Sequence, residues 1–298
     1  MEPLTYSDLI EFVRDFRSHC KATSTEINDL LELYTLSGNI LCHFLGPGWV
    51  MENIFGKPMP KDKFFKAVSQ EGSKERFQNQ DRAIELAEIL FNLQFINGMD
   101  KRLNELRCGT VESSVAELEG AKLLVKSGLS VQFVNPVGQK GFDYDTELYL
   151  PNGTKVCCEM KCKIEGTKLS KATLKETLRK ARDQLPKDAL GLIFVKIPEE
   201  WVKQQICEEV MLNTLQEFFR RTQRVFAVIF HWEEWYFREN TTSTQPIYDL
   251  AKAVRVVRFR EEVNEKPKLK DLGINKIMER VKFGASFPGI WFYLRTIL

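Results

Sequence analysis

Asp143, Asp145, Glu159 and Lys161 all stand at odd-numbered positions around a turn signal in residues 141–163, "GFDYDTELYLPNGTKVCCEMKCK". Alternate residues of a strand share a face, so a hairpin turning at "PNG" gathers these three carboxylates and this ammonium on one side. With Asn152 as the turn centre, Asp145 lies opposite Glu159 and Asp143 opposite Lys161, and directly opposed side chains sit about 5 Å apart. Such a face is costly unless it is wet or its charges have a task. The task that suits these residue types is phosphodiester hydrolysis, which needs an activated water and relief of charge on the phosphate. Hard divalent ions such as Mg²⁺ or Mn²⁺ take carboxylate oxygens and supply both. Lys161 beside the ion would hold or polarise the attacking water, while Met160 packs on the other face. The competing reading is a solvated face whose cross-strand ion pairs add little stability. Cys157 and Cys158 next to Glu159 point instead to a buried strand.

The elements around the hairpin follow from hydrophobic period. The first third reads as helices: "SDLIEFVRDFRSHCKA" with Ser7 as N-cap, "STEINDLLELYTLSGNILCHFLG" closing on Gly46, and "RFQNQDRAIELAEILFNLQFI", bending or restarting at "NGMD". Between them, residues 46–63 carry Gly and Pro at a density that breaks regular structure. The pattern changes near residue 109. "GTVESSVAELEGAKLLVKSG" is an amphipathic helix, "LSVQFV" a short strand, the hairpin two more, and "SKATLKETLRKARDQL" a helix that stops near Pro186. The runs "ALGLIFVKI" and "RVFAVIFHW" are apolar enough for central strands buried on both faces, with the helix "ICEEVMLNTLQEFFRRT" between them. The order predicts an α/β fold, a mixed sheet flanked by helices, preceded by an all-α region. Residues 1–107 form the helical part and residues 108–298 the α/β part.

Composition narrows the class. The chain has 298 residues, 43 basic and 41 acidic, for a net charge of +2, so any nucleic-acid surface must arise from local clustering. Seven cysteines, at 20, 42, 108, 157, 158, 162 and 207, show neither a disulfide framework nor paired zinc spacing. Reduced thiols and the lack of a signal-like start suggest a cytoplasmic protein. No apolar run reaches membrane-spanning length.

The element order and the placement of the acidic residues resemble the PD-(D/E)XK nuclease superfamily, with its restriction-endonuclease-like αβββαβ core. "FD" at Phe142–Asp143 stands where that family often has "PD", and "EMK" at Glu159–Lys161 matches its (D/E)xK strand. The resemblance implies that Glu117 is the carboxylate of the first core helix, with Glu119 and Glu112 as weaker substitutes. It also implies that Gln184 is the polar residue of the second core helix, placed to bond a site water or Lys161. It covers roughly residues 108–231. It implies a nuclease hydrolysing DNA, or alternatively RNA, with Asp143, Glu159, Glu117 and Asp145 around Mg²⁺ or Mn²⁺. Asp143 is preferred to Asp145 as the main ligand on the Phe-Asp placement. The rival from another class is a nuclease-fold scaffold without catalysis.

Local charge supports a phosphate-rich partner. Lys163, Lys168, Lys171, Lys175 and Arg179 follow the hairpin, and Lys171, Lys175 and Arg179 fall at i, i+4, i+8, one stripe of a helix. Such a stripe would position phosphates without reading sequence. The alternative is a solvated helix face. The helical region is expected to select substrate, support a homodimer or bind a protein partner.

Overall fold

The computed structural model describes residues 2–56, 64–65, 74–135, 137–139, 141–150, 153–238 and 247–259; for 235–238 and 247–259 only the backbone is described. Helix α1 (Tyr6–Ala22) is capped not by Ser7 but by Thr5. Thr5 and Asp8 form a reciprocal capping box, which satisfies two amides that a cap at Ser7 would leave unpaired. Helix α2 (Asp29–Leu45) ends on Gly46 at φ 89°, a conformation that favours glycine. The Gly/Pro-rich stretch is not wholly irregular: α3 (Pro47–Asn53) occupies its start, since proline at the first helical position needs no amide partner. The rest of that stretch, 57–63, lies outside the described residues. Helices α4 (Lys74–Leu93) and α5 (Met99–Cys108) are separated by Gly98, in the left-handed region. Among the described residues no helix is long and apolar enough to cross a membrane.

Helix α6 (Val111–Lys126) leads into β1 (Ser130–Phe133), β2 (Thr146–Tyr149) and β3 (Lys155–Cys162). Helix α7 (Lys171–Gln184), β4 (Leu190–Lys196), α8 (Glu199–Val202), α9 (Cys207–Arg221), β5 (Val225–Arg238) and β6 (Ile247–Phe259) follow. The six strands form one mixed sheet in sequential order. Strands β3, β4 and β5 are parallel, and the remaining neighbours are antiparallel. The fold is therefore α/β, a mixed sheet flanked by helices with a helical N-terminal region. The β2–β3 register pairs Thr146 with Cys158 and Tyr149 with Lys155, as a turn centred on Asn152 requires, although residues 151 and 152 themselves lie outside the described residues.

Two apolar layers cover the sheet. Cys157, Ile193, Val195, Val228 and Phe230 face α7 and α9, while Cys158, Met160, Phe194 and Ile229 form the other layer, with Leu124 of α6. Adjacent cysteines thus bury on opposite faces, the signature of a central strand. Gly120 lets α6 approach β3: a Cβ there would lie 2.6 Å from the Met160 sulfur. The helical third does not end at residue 107 in packing. Its apolar core runs from Leu9 and Leu41 through Leu86 and Leu106 into Val115 and Leu118 of α6 and Phe133 of β1. The change of pattern near 109 is a helix-to-helix turn within that shared core.

Candidate functional site

Strand β3 outlasts β2. Their ladder reaches back to Thr146 and Cys158, with one further bond from the Asp145 amide to the Cys158 carbonyl at 3.1 Å. Beyond that point the edge of β3 is open, and Asp145 turns its carboxylate onto it. Its Oδ2 accepts the Met160 N–H at 2.7 Å, so a side chain satisfies the backbone donor that would otherwise be unpaired. Glu159 follows on the opened stretch and is fully buried. Neither of its oxygens has a hydrogen-bond partner of good geometry; Oε1 rests on the Lys161 ammonium as an ion-pair contact. The amine is held from the other side by Gln184 of α7, whose Oε1 accepts its proton at 2.5 Å. Gln184 Nε2 donates to the Asp143 carbonyl at 3.1 Å. Helix α6 brings Glu117 close enough for Asp145 and Lys161 to act on its charge.

The electrostatics are those of carboxylates withdrawn from water. Burial, and after it the Asp145 charge, push Glu117 up to about 8. Burial and Asp145 likewise hold Glu159 well above the carboxylate range, against the pull of Lys161. Asp145 is raised by burial, opposed chiefly by Arg102. A buried carboxylate whose one partner is an ion-pair contact remains disfavoured as the anion. Glu159, with neighbouring Asp145, is therefore a donor set that a hard divalent ion fits. Among the described residues no three His, Cys, Asp or Glu side chains already converge as they would around an ion.

Asp143, preferred in the sequence as the main ligand, does not join this group. Its Oδ1 accepts from the amides of Val137 and Gly138 at 2.7 and 3.0 Å, closing a loop. The physical reason is that side-chain parity holds only within a strand, and β2 begins after Asp143, at Thr146. Asp145 takes the place beside Glu159. Of the substitutes for Glu117, Glu112 accepts the Glu165 amide at 3.3 Å, and Glu119 lies on the other face of the sheet.

The residue that sequence reasoning missed is Arg102, on α5 and 5% exposed. Its Nη1 donates to Glu117 Oε2 at 2.6 Å and to Glu105 Oε2 at 2.7 Å. Its Nη2 donates to the carbonyls of Asp145 at 3.0 Å and Val134 at 3.3 Å, and lies 3.8 Å from Asp145 Oδ1. Nothing local marks it, because Asp145 is 43 residues away; the Glu117 spacing of 15 residues is also uninformative.

The basic stripe on α7 is largely spoken for. Lys171 and Lys175 both reach Glu217 of α9, the second at 3.0 Å, and Arg179 pairs with Glu176 at 2.7 Å and Asp183 at 3.1 Å. Helix α9 lies beside the stripe and supplies the opposing carboxylate. Lys163 and Lys168 have no carboxylate partner among the described residues.

Across the sheet lies a second, buried ionic network. Lys196 bridges Glu119 at 2.9 Å and Glu233 at 3.3 Å. Arg82 of α4 donates to Glu233 at 2.8 and 2.9 Å, to Glu165 at 2.6 Å and to the Phe64 carbonyl at 2.5 Å. Burial alone would raise Glu233, but Lys196 and Arg82 overcome it and hold it at about 2. His231, buried beside Lys196, is pushed down to about 3, burial being the larger cause. This network ties the helical third to the sheet. No family model matches the chain, and neither a curated protein nor a solved structure does.

Proposed function

We propose that the chain is a divalent-metal-dependent nuclease that hydrolyses DNA phosphodiesters at the open edge of β3. The observation that carries this reading is Glu159, fully buried, without a good hydrogen-bond donor, and beside both Asp145 and Lys161. Asp145 and Glu159 would hold Mg²⁺ or Mn²⁺, and the ion would polarise the scissile phosphate and lower the pKa of a water. Lys161 holds the attacking water in line and offsets charge on the phosphate. Gln184 fixes the Lys161 amine by its 2.5 Å hydrogen bond, so one orientation serves the reaction. Glu117 is drawn to Arg102 and keeps the set of charges compact. The element order from α6 to β4 is helix, three strands, helix, strand, which supports a restriction-endonuclease-like core. Lys163 and Lys168, rather than the paired stripe on α7, are the cations available to backbone phosphates.

The test is a cleavage panel on linear, circular and single-stranded DNA and on RNA, with Mn²⁺, Mg²⁺ or chelator. Wild type should cut DNA only with metal. Lys161→Ala should lose cleavage while remaining folded, and Asp145→Asn should weaken Mn²⁺ binding more than Asp143→Asn. Cleavage by Lys161→Ala at the wild-type rate would sink the assignment.

A further inference from the structure

The acid cluster contains a cation that hydrolysis does not obviously need. Arg102 comes from α5, outside α6, β3 and the segment before β2 that carry Glu117, Glu159, Lys161 and Asp145, and is buried with its guanidinium between Glu117 and Asp145. Two-metal hydrolases place their ions about 3.5–4 Å apart and bridge them with a shared carboxylate. A second ion here would have to lie between Glu117 and Asp145. Arg102 fills that position: its Nη1 is 2.6 Å from Glu117 Oε2 and its Nη2 3.8 Å from Asp145 Oδ1. Asp145 is also poorly free to bridge, because its Oδ2 already takes the Met160 amide at 2.7 Å.

We propose that Arg102 is a positioning residue that stands in for a second metal, so that the site takes a single divalent ion, on Asp145 and Glu159. This rests on the metal-dependent reading of the site. The guanidinium stabilises Glu117 and Asp145 in place of an ion, and it is covalently tethered, so the Glu117 side of the cluster stays occupied whatever the metal concentration. Its neighbours define the seat. The Asp145 and Val134 carbonyls accept from Nη2, and the Phe133 ring lies 5.5 Å from the guanidinium carbon, a geometry that suits a planar cation.

The experiment counts ions in the full chain. Metal-free protein is titrated with Mn²⁺ by calorimetry, and the loaded protein is studied by low-temperature electron paramagnetic resonance. Wild type is expected to bind one Mn²⁺ per chain with the spectrum of an isolated ion. Arg102→Gln, which keeps hydrogen-bonding capacity but removes the charge, is expected to bind two, with an exchange-coupled pair. Arg102→Lys should return to one. Two ions in wild type, one ion in Arg102→Gln or two in Arg102→Lys would overturn the proposal while leaving a metal site in place. No Mn²⁺ bound by wild type would overturn the metal reading and the proposal with it. If Arg102→Gln fails to fold, the wild-type count and spectrum still decide between one ion and two.

Discussion

Replacing Arg82 by Met tests the network that joins the helical third to the sheet. Arg82 and Glu233 are 6% and 7% exposed, so the substitution leaves a buried carboxylate short of its two guanidinium hydrogen bonds. Removing one partner of a buried ion pair typically costs about 3–5 kcal/mol. Glu233 keeps Lys196 at 3.3 Å, which argues for the low end. The Glu165 arm is 31% exposed and adds only about 0.5 kcal/mol. The expected loss is about 3 kcal/mol, or roughly 6 °C in Tm for a chain of this size. Urea denaturation and calorimetry measure it. A double-mutant cycle with Glu233→Gln should return at least about 1 kcal/mol, because the stranded charge goes with the second substitution. A loss under about 1 kcal/mol, with no coupling, would refute the argument and show that water replaces the guanidinium without penalty.

Three further outcomes are expected. His231, with a usual pKa of about 6.5 in the unfolded chain, is held down to about 3 by burial and Lys196, against the pull of Glu233. The unfolded state therefore binds a proton first, and stability should fall by about 1.4 kcal/mol per pH unit below about 6.5. Carboxylates raised by burial act in the opposite sense as pH falls, Glu117 from about 8 and Glu112 from about 6 down to the ordinary glutamate value, with Asp145 and Glu159 in the same direction. The test is therefore the wild-type stability profile minus that of His231→Gln, and a flat difference between pH 6.5 and 5 would refute it. Gly120→Ala should cost about 1–2 kcal/mol in denaturant melts, since the added methyl meets the Met160 sulfur and must displace it; full wild-type stability would show that α6 is not held close at this point. In DNA binding, Lys171→Gln with Lys175→Gln and Arg179→Gln should flatten the log–log salt slope by less than about one, and Lys163→Gln with Lys168→Gln by nearly two; the reverse ranking would return the phosphate track to α7.

How far the sequence carried the fold depended on the range of each signal. Parity along β3 and the turn at Asn152 placed Glu159, Lys161 and the register, because a two-residue period is local. The same rule overreached at Asp143, since nothing local says where β2 ends; that is decided by the loop amides of Val137 and Gly138, which capture the carboxylate. The stripe on α7 looked unopposed because Glu217 is 42 to 46 residues further on. The cap at Thr5 could be read as easily at Ser7, and Pro47 was read as a breaker although it starts a helix. Gln184 beside Lys161 was legible only through the family resemblance. Arg102 and Arg82 had no signature at all, because a cation on a helix is ordinary until its distant partners are known.

The pairing of Arg82 with Glu233 also has a consequence for how the chain is made. The two residues are 151 apart in sequence. At about 5–20 residues per second on the ribosome, roughly 8–30 s pass between their synthesis. Within that interval α6 and β1 follow and complete the apolar core of α1 to α5, and Arg82 has the Phe64 carbonyl and then Glu165, but its buried carboxylate partner on β5 has not been made. Nascent chains arrested just short of residue 233 should therefore stay protease-sensitive in α4, and those carrying the whole of β5 beyond the exit tunnel should become resistant.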